Sequence, residues 1–302
     1  MYSIILGLIM GIFSMTCVAE NAISFESIGT SADSIAAGGI FGVAESAHSL
    51  FQNPSLMGTD YNVAVDVFYV KLLGEADYNT LSVAKRFGRS VVGVGYSGVS
   101  VQNIVSTVES GGEFIKSGSY NYALASYYLG TAHELSDKVR VGAAVKSRYS
   151  NLANNTSSGY NMDIGVTYDT PQLIVSSVIK NAAWFQNVTY KQGSDEEFPV
   201  SSTTTIKGIL GDVIPMAQVT LRDTTHAKML VATGLKWHPP RVNQMTFLAG
   251  YKQVPYKKGT KGRFSTGLSL SLNGISIDYA YEDTKDVVFY TNNHYVSMKF
   301  KF

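Results

Sequence analysis

The last nine residues, His294 to Phe302, read HYVSMKFKF and restrict the fold more than any other stretch. Val296, Met298, Phe300 and Phe302 fall on one face of an extended chain; Tyr295, Ser297, Lys299 and Lys301 fall on the other. That period of two specifies a strand with one apolar and one polar face. Such a strand, stopping on phenylalanine, suits a barrel of the bacterial outer membrane, with Phe300 and Phe302 as the signal read by the outer-membrane insertion machinery. The competing assignment is the edge strand of a soluble β protein.

The same alternation recurs from Tyr61 onward. Val63, Val65, Val67 and Tyr69 are separated by Ala64, Asp66 and Phe68, and Tyr160, Met162, Ile164, Val166 and Tyr168 form another stripe. Asn273-Gly274 between two alternating runs is a strong hairpin signal. About 14 strands are expected, near 61–70, 77–87, 90–99, 118–129, 138–149, 159–169, 172–180, 200–209, 216–223, 227–238, 243–253, 263–272, 275–282 and 291–302. Most approach the roughly 9–11 residues that a tilted membrane strand needs. With the N-terminus in the periplasm, even-numbered connections are short, as at 87–89, 170–171, 239–241 and 273–274. Odd-numbered ones are expected to be long outer loops, near 100–117, 150–158, 181–199, 254–262 and 283–290, with the short connection near 224–226 as the exception. This segregation of loop lengths is that of a transmembrane barrel. Tyr69, Tyr128, Tyr149, Trp237 and Tyr281 fall towards strand ends, where amphipathic rings favour the bilayer interfaces.

Composition agrees. Charged residues make up 16% of the 302 and the net charge is +1, so nothing attracts nucleic acid. Mean hydropathy is only +0.05, too low for a helical membrane protein. The run Ile4 to Met15 is shorter than the about 20 residues of a spanning helix. Followed by Cys17-Val18-Ala19, it reads as a signal peptide over 1–19. Thr16 argues against a lipidated Cys17, and after cleavage the chain holds no cysteine for a disulfide or a thiolate metal site.

No catalytic or cofactor motif stands out, and the expectation is a protein that is not an enzyme and needs no cofactor or metal. The five histidines are scattered without ligand spacing. Gly95-Tyr96-Ser97-Gly98 misses the nucleophile elbow because its second glycine comes one place early. Asp195-Glu196-Glu197, and Lys257-Lys258 with Lys261 and Arg263, read as solvated charge in outer loops.

Residues 20–60 differ in kind. Small and Gly-rich at 31–39, then helix-compatible at 44–51, they are expected to form a hatch inside the barrel lumen, with 61–302 as the barrel. The stretch Ala36-Ala37-Gly38-Gly39-Ile40-Phe41-Gly42-Val43-Ala44, followed by Asn53-Pro54-Ser55, resembles the opening of FadL-like outer-membrane proteins, and their PorV/PorQ branch most. Ser55 stands where that family usually has Ala. The resemblance implies an all-β, 14-stranded antiparallel barrel with a partly helical N-terminal hatch. It also implies one of two roles: passive uptake of hydrophobic or amphipathic small molecules, with a lateral opening to the membrane, or a scaffold or shuttle binding secreted proteins. Asn53 and Pro54 form the hatch motif, as gate or as structural turn. Phe41, Phe51 and Leu56 are the expected ligand-lining residues of a transporter. A scaffold would instead present apolar loop residues such as Trp184, Phe185 and Phe198. The expected partners are outer-membrane lipids, the insertion machinery, and a hydrophobic small molecule or a secreted protein.

Overall fold

The computed structural model describes residues 28–302 except 59, 73–74, 154, 184–185, 192, 194, 225, 257–258 and 285–292. The signal peptide expected over 1–19, the start of the expected hatch, and Trp184, Phe185, Lys257 and Lys258 lie outside the described residues.

The alternating runs become strands β1 (Val63–Leu72), β2 (Ala76–Phe87), β3 (Ser90–Ser110), β4 (Glu113–Ser136), β5 (Val139–Leu152), β6 (Asn155–Asp169) and β7 (Leu173–Lys180). A short pair follows, β8 (Asn187–Tyr190) and β9 (Glu196–Glu197). The wall resumes with β10 (Ser201–Gly208), β11 (Val213–Arg222), β12 (Met229–Trp237) and β13 (Met245–Tyr256). It ends with β14 (Gly259–Leu272), β15 (Ile275–Glu282) and β16 (Asn293–Lys301). Each wall strand pairs antiparallel with the next, β7 pairs with β10, and β16 returns to β1. Fourteen strands thereby close a barrel among the described residues, with no free edge along the ring. At the seam, the Asn62 and Val63 N–H groups donate to the Phe302 carbonyl at 2.7 and 3.1 Å.

The two faces are inverted relative to a soluble protein. Outward-facing Leu129, Val145, Ile164 and Met298 are exposed, while inward-facing Asp66, Lys146, Asp163 and Lys299 are buried. An apolar exterior around a polar lumen is stable only where lipid surrounds the wall, so the strands cross a membrane. No helix among the described residues is long and apolar enough to do so.

The expected outer loops are corrected in three places. Residues 100–117, 150–158 and 254–262 are mostly strand, the hairpins β3–β4, β5–β6 and β13–β14 running on past the neighbouring strands. The asymmetry between barrel ends is carried by strand length as much as by loops. β3–β4 turns at Gly111-Gly112, and β14–β15 at Asn273-Gly274, with positive φ at both central residues (65° and 85°; 50° and 81°). This tight turn matches strand twist and favours Gly and Asn.

Residues from Ile28 to Gly58 fill the lumen. Two short helices, Ala32–Ala36 and Ser49–Gln52, and a 3-10 turn, Pro54–Leu56, carry them across it.

Candidate ligand site above the hatch

The hatch rests on two opposite seats. The Ala32–Ala36 helix lies against β13 to β16. The Ala32 N–H donates to Ser297 Oγ at 3.1 Å, and Ser265 Oγ donates to the Ala36 carbonyl at 3.1 Å. Asp33 pairs with Lys299 at 2.6 Å, and Lys299 with Asp278 at 2.8 Å. Burial works to raise the Asp33 pKa, but the Lys299 charge and, less, His48 outweigh it and hold the carboxyl well below its usual range. Gly250 lets the Ala37–Gly38 backbone approach the wall directly, where a β-carbon would collide.

The second seat takes Ser49 to Leu56 against β3 to β6. A β-carbon at Gly95 would lie 2.6 Å from the Phe51 ring, and one at Gly142 would strike the Pro54–Ser55 backbone. Gly95, which the sequence places near a false catalytic motif, is thus a packing notch. Asn53 accepts from the Ser55 N–H at 3.1 Å and donates to the Ser177 carbonyl at 3.3 Å. Pro54 opens the 3-10 turn, where its missing N–H has no partner to lose. Asn53 and Pro54 therefore form the turn that seats this half of the hatch. Between the seats, the strap Gly39–Val43 is held by side chains of the far wall. The Phe41 N–H donates to Gln218 Oε1 at 2.8 Å, and Lys207 Nζ to the Gly42 carbonyl at 2.6 Å.

Above the hatch is a cavity of about 720 Å³. Its floor includes Thr30, Gly39, Phe41, Phe51 and Gln52; its walls include the apolar Leu72, Leu230, Val254 and Tyr295. The charged lining groups are Lys180, Arg222, Lys252 and Arg263 against one carboxylate, Glu282. Glu282 pairs with both Lys252, at 2.8 Å, and Arg263, at 3.3 Å. Lys180 stands 5.5 Å over the Phe41 ring. Arg222 makes no ion pair among the described residues, so the cavity keeps an excess of positive charge beside apolar wall.

Of the residues expected to line a ligand path, Phe41 and Phe51 meet in this floor. Leu56 does not; it is fully buried beneath Gly42, its Cδ1 2.7 Å from where a β-carbon would stand. Arg263 is not loop charge: it lies on β14 and pairs with Glu282 of the adjacent strand β15. Glu196 belongs to the β8–β9 hairpin and accepts from the Tyr190 hydroxyl at 2.9 Å. Phe198 is turned inward, 8% exposed and packed against Gly159, so the loop around it leans over the lumen. Phe300 lies on β16 among the outward residues, and Phe302 is exposed at the barrel rim. Lys180, Arg222, Lys252 and Glu282 were not singled out by sequence. Their available signal is a charged residue on the inward phase of an alternating strand, near its outer end.

No family model matches the sequence, and no curated protein matches it. Solved structures do. The CymD monoaromatic hydrocarbon channel superposes with a TM-score of 0.64 at 13% identity, over 92% of this chain and 99% of that one. The toluene transporter TodX of Pseudomonas putida gives 0.61 at 14%, over 91% and 98%. The fold is that of the 14-strand FadL-like outer-membrane barrels. At such identity the likeness establishes architecture alone, and it lends no support to the finer PorV/PorQ assignment.

Proposed function

We propose that this barrel mediates passive uptake of hydrophobic or amphipathic small molecules across the outer membrane. The observation that carries the reading is the cavity over the hatch, apolar on much of its wall and cationic in its charged groups. Apolar wall supplies affinity for hydrocarbon, and Lys180 with Arg222 suits an anionic head group. The architecture shared with channels named for toluene and monoaromatic hydrocarbons supports the same reading. The hatch blocks the lumen beneath the cavity, so transfer requires hatch motion or an exit through the wall.

The test is uptake of radiolabelled dodecanoate and toluene by cells with intact outer membranes, with and without the protein, alongside native mass spectrometry of the extracted barrel. Faster uptake and a reproducible small-molecule adduct, lost in Phe41→Trp, are expected. Uptake equal to that of cells lacking the protein would sink the reading.

A further inference from the structure

The lipid face of the barrel is interrupted at the foot of β2 to β4. Along the short-turn end, outward residues of other strands are apolar: Val166, Ile206, Leu235, Ile277 and Met298 are all exposed. On β2 to β4 the same outward phase brings Lys85, Ser90 and His133. Phe87 faces Ser90 across one ladder, and Ser90 faces His133 across the next. Lys85 lies beside them, between Val63 of β1 and Val92 of β3.

A lysine directed at hydrocarbon must carry its ammonium to the interface. Lys85 is two residues from the end of β2. At about 3.3 Å per residue and a tilt of about 40°, its Cα lies roughly 5 Å inside the rim, a depth its stem can span. Lys85 Nζ stands 5.3 Å from the centre of the Phe87 ring and makes no ion pair among the described residues. Ser90 Oγ and His133 Nδ1 share a hydrogen bond of 2.8 Å, so the exposed imidazole keeps Nε2 without a partner among the described residues.

The two adjoining turns add the exposed cations Arg89 and Lys138. The Glu134 N–H donates to the Arg89 carbonyl at 2.9 Å, which fastens one turn to β4. Arg89 meets Asp137 at 3.4 Å, with side chains 63% and 94% exposed, a pair that water screens. Glu134 belongs to the inward phase, opposite Arg140. The short turns at 170–172, 209–212 and 273–274 hold no Lys or Arg; that at 238–244 holds Arg241. Two apolar side chains flank the cations. Phe87 is 57% exposed, and Leu135, the extra residue of a bulge in β4, is 59% exposed.

We propose that the foot of β2 to β4 is a binding site for one anionic phospholipid of the leaflet on the short-turn side, which is periplasmic in barrels of this kind. Lys85, His133 Nε2 and Arg89 take the phosphate, and Lys138 adds charge at the rim. Phe87, Val92 and Leu135 offer the acyl chains an apolar bed. Cations outnumber carboxylates here, and Asp137 is already taken by Arg89. A head group carrying its own ammonium therefore finds no counter-charge, which selects an anionic lipid over a zwitterionic one. The site lies outside the lumen and is independent of the uptake reading.

The test is native mass spectrometry of the full barrel in detergent, titrated with phosphatidylglycerol, phosphatidylcholine or lipid A. The parent is expected to retain one phosphatidylglycerol under activation that strips phosphatidylcholine. Lys85→Met with Arg89→Gln and Lys138→Gln should weaken that retention about 100-fold, at roughly fivefold per charge. Arg241→Gln, a cation removed from another short turn, should change nothing. Heat-modifiable migration confirms that each variant is folded. Should the triple variant not fold, Lys85→Met alone is expected to lose about fivefold. Equal retention of phosphatidylglycerol and phosphatidylcholine, or parental retention by the folded variants, overturns the site. Lipid A held in preference to phosphatidylglycerol, and lost in the same variants, would place the patch in the opposite leaflet and overturn it too.

Discussion

Asp33 Oδ2 lies 2.6 Å from Lys299 Nζ, deep in the lumen, although the two residues come from opposite ends of the described chain. Lys299 belongs to the polar phase of the terminal strand, and Asp33 to a helix that is too short to stand alone. The pair ties the hatch to the strand that closes the barrel, and Asp278 shares the ammonium.

Asp33→Asn should therefore loosen the first seat. Removing one partner of a buried pair costs about 3–5 kcal/mol, and the low end is expected because Asp278 still faces Lys299. Because its folded pKa is depressed, the Asp33 carboxylate contributes fully above its unfolded value of about 3.9 and loses that contribution as pH falls through the folded value. The stability gap between parent and variant should be flat from pH 5 to 8 and close only in strong acid. Denaturant unfolding in detergent across pH measures it; a gap that closes near neutrality contradicts the assignment.

The second seat depends on missing side chains. Gly142→Leu places atoms where the Pro54–Ser55 backbone lies but leaves the lipid face of β5 untouched. The barrel should assemble with heat-modifiable migration, while residues 49–57 become accessible to protease and small solutes leak. A variant as tight and as protected as the parent would show that the notch is not needed.

Charge in the cavity should sort ligands. Arg222→Ala and Lys180→Ala are each expected to slow dodecanoate uptake about tenfold, since a charge-assisted hydrogen bond is worth about 1.5–3 kcal/mol. Toluene, without a head group, should pass at the parental rate. Equal loss for both probes would mean that the cations hold the cavity's shape.

The lipid face admits a direct check. Val145 is 55% exposed near the middle of β5. Val145→Arg should cost about 2–4 kcal/mol on refolding into liposomes, the usual penalty near the bilayer midplane. Its neighbour Lys146 already faces inward and pairs with Asp163 at 3.0 Å. Equal tolerance of Arg at 145 in lipid would contradict the assigned orientation.

The sequence by itself determined the strands of the wall, about 14 of them, and, where one stripe is plainly the more apolar, which face meets lipid. Alternation is a property of adjacent residues, and each stripe, such as Val296, Met298 and Phe300, carries its own answer. Tertiary structure alone decided the rest. Residues 100–117 were expected to be loop because the outward-inward contrast fades once both faces meet water, yet Glu109–Phe114 and its neighbours pair as a ladder. Arg263 read as loop charge because its partner Glu282 lies on another strand. Leu56 looked equivalent to Phe51, but only the path of the hatch turns one towards the cavity and the other beneath Gly42. The notches at Gly95 and Gly142 arise where chain segments far apart in sequence meet. No local pattern encodes such contacts, because they depend on how the ring closes and what fills it.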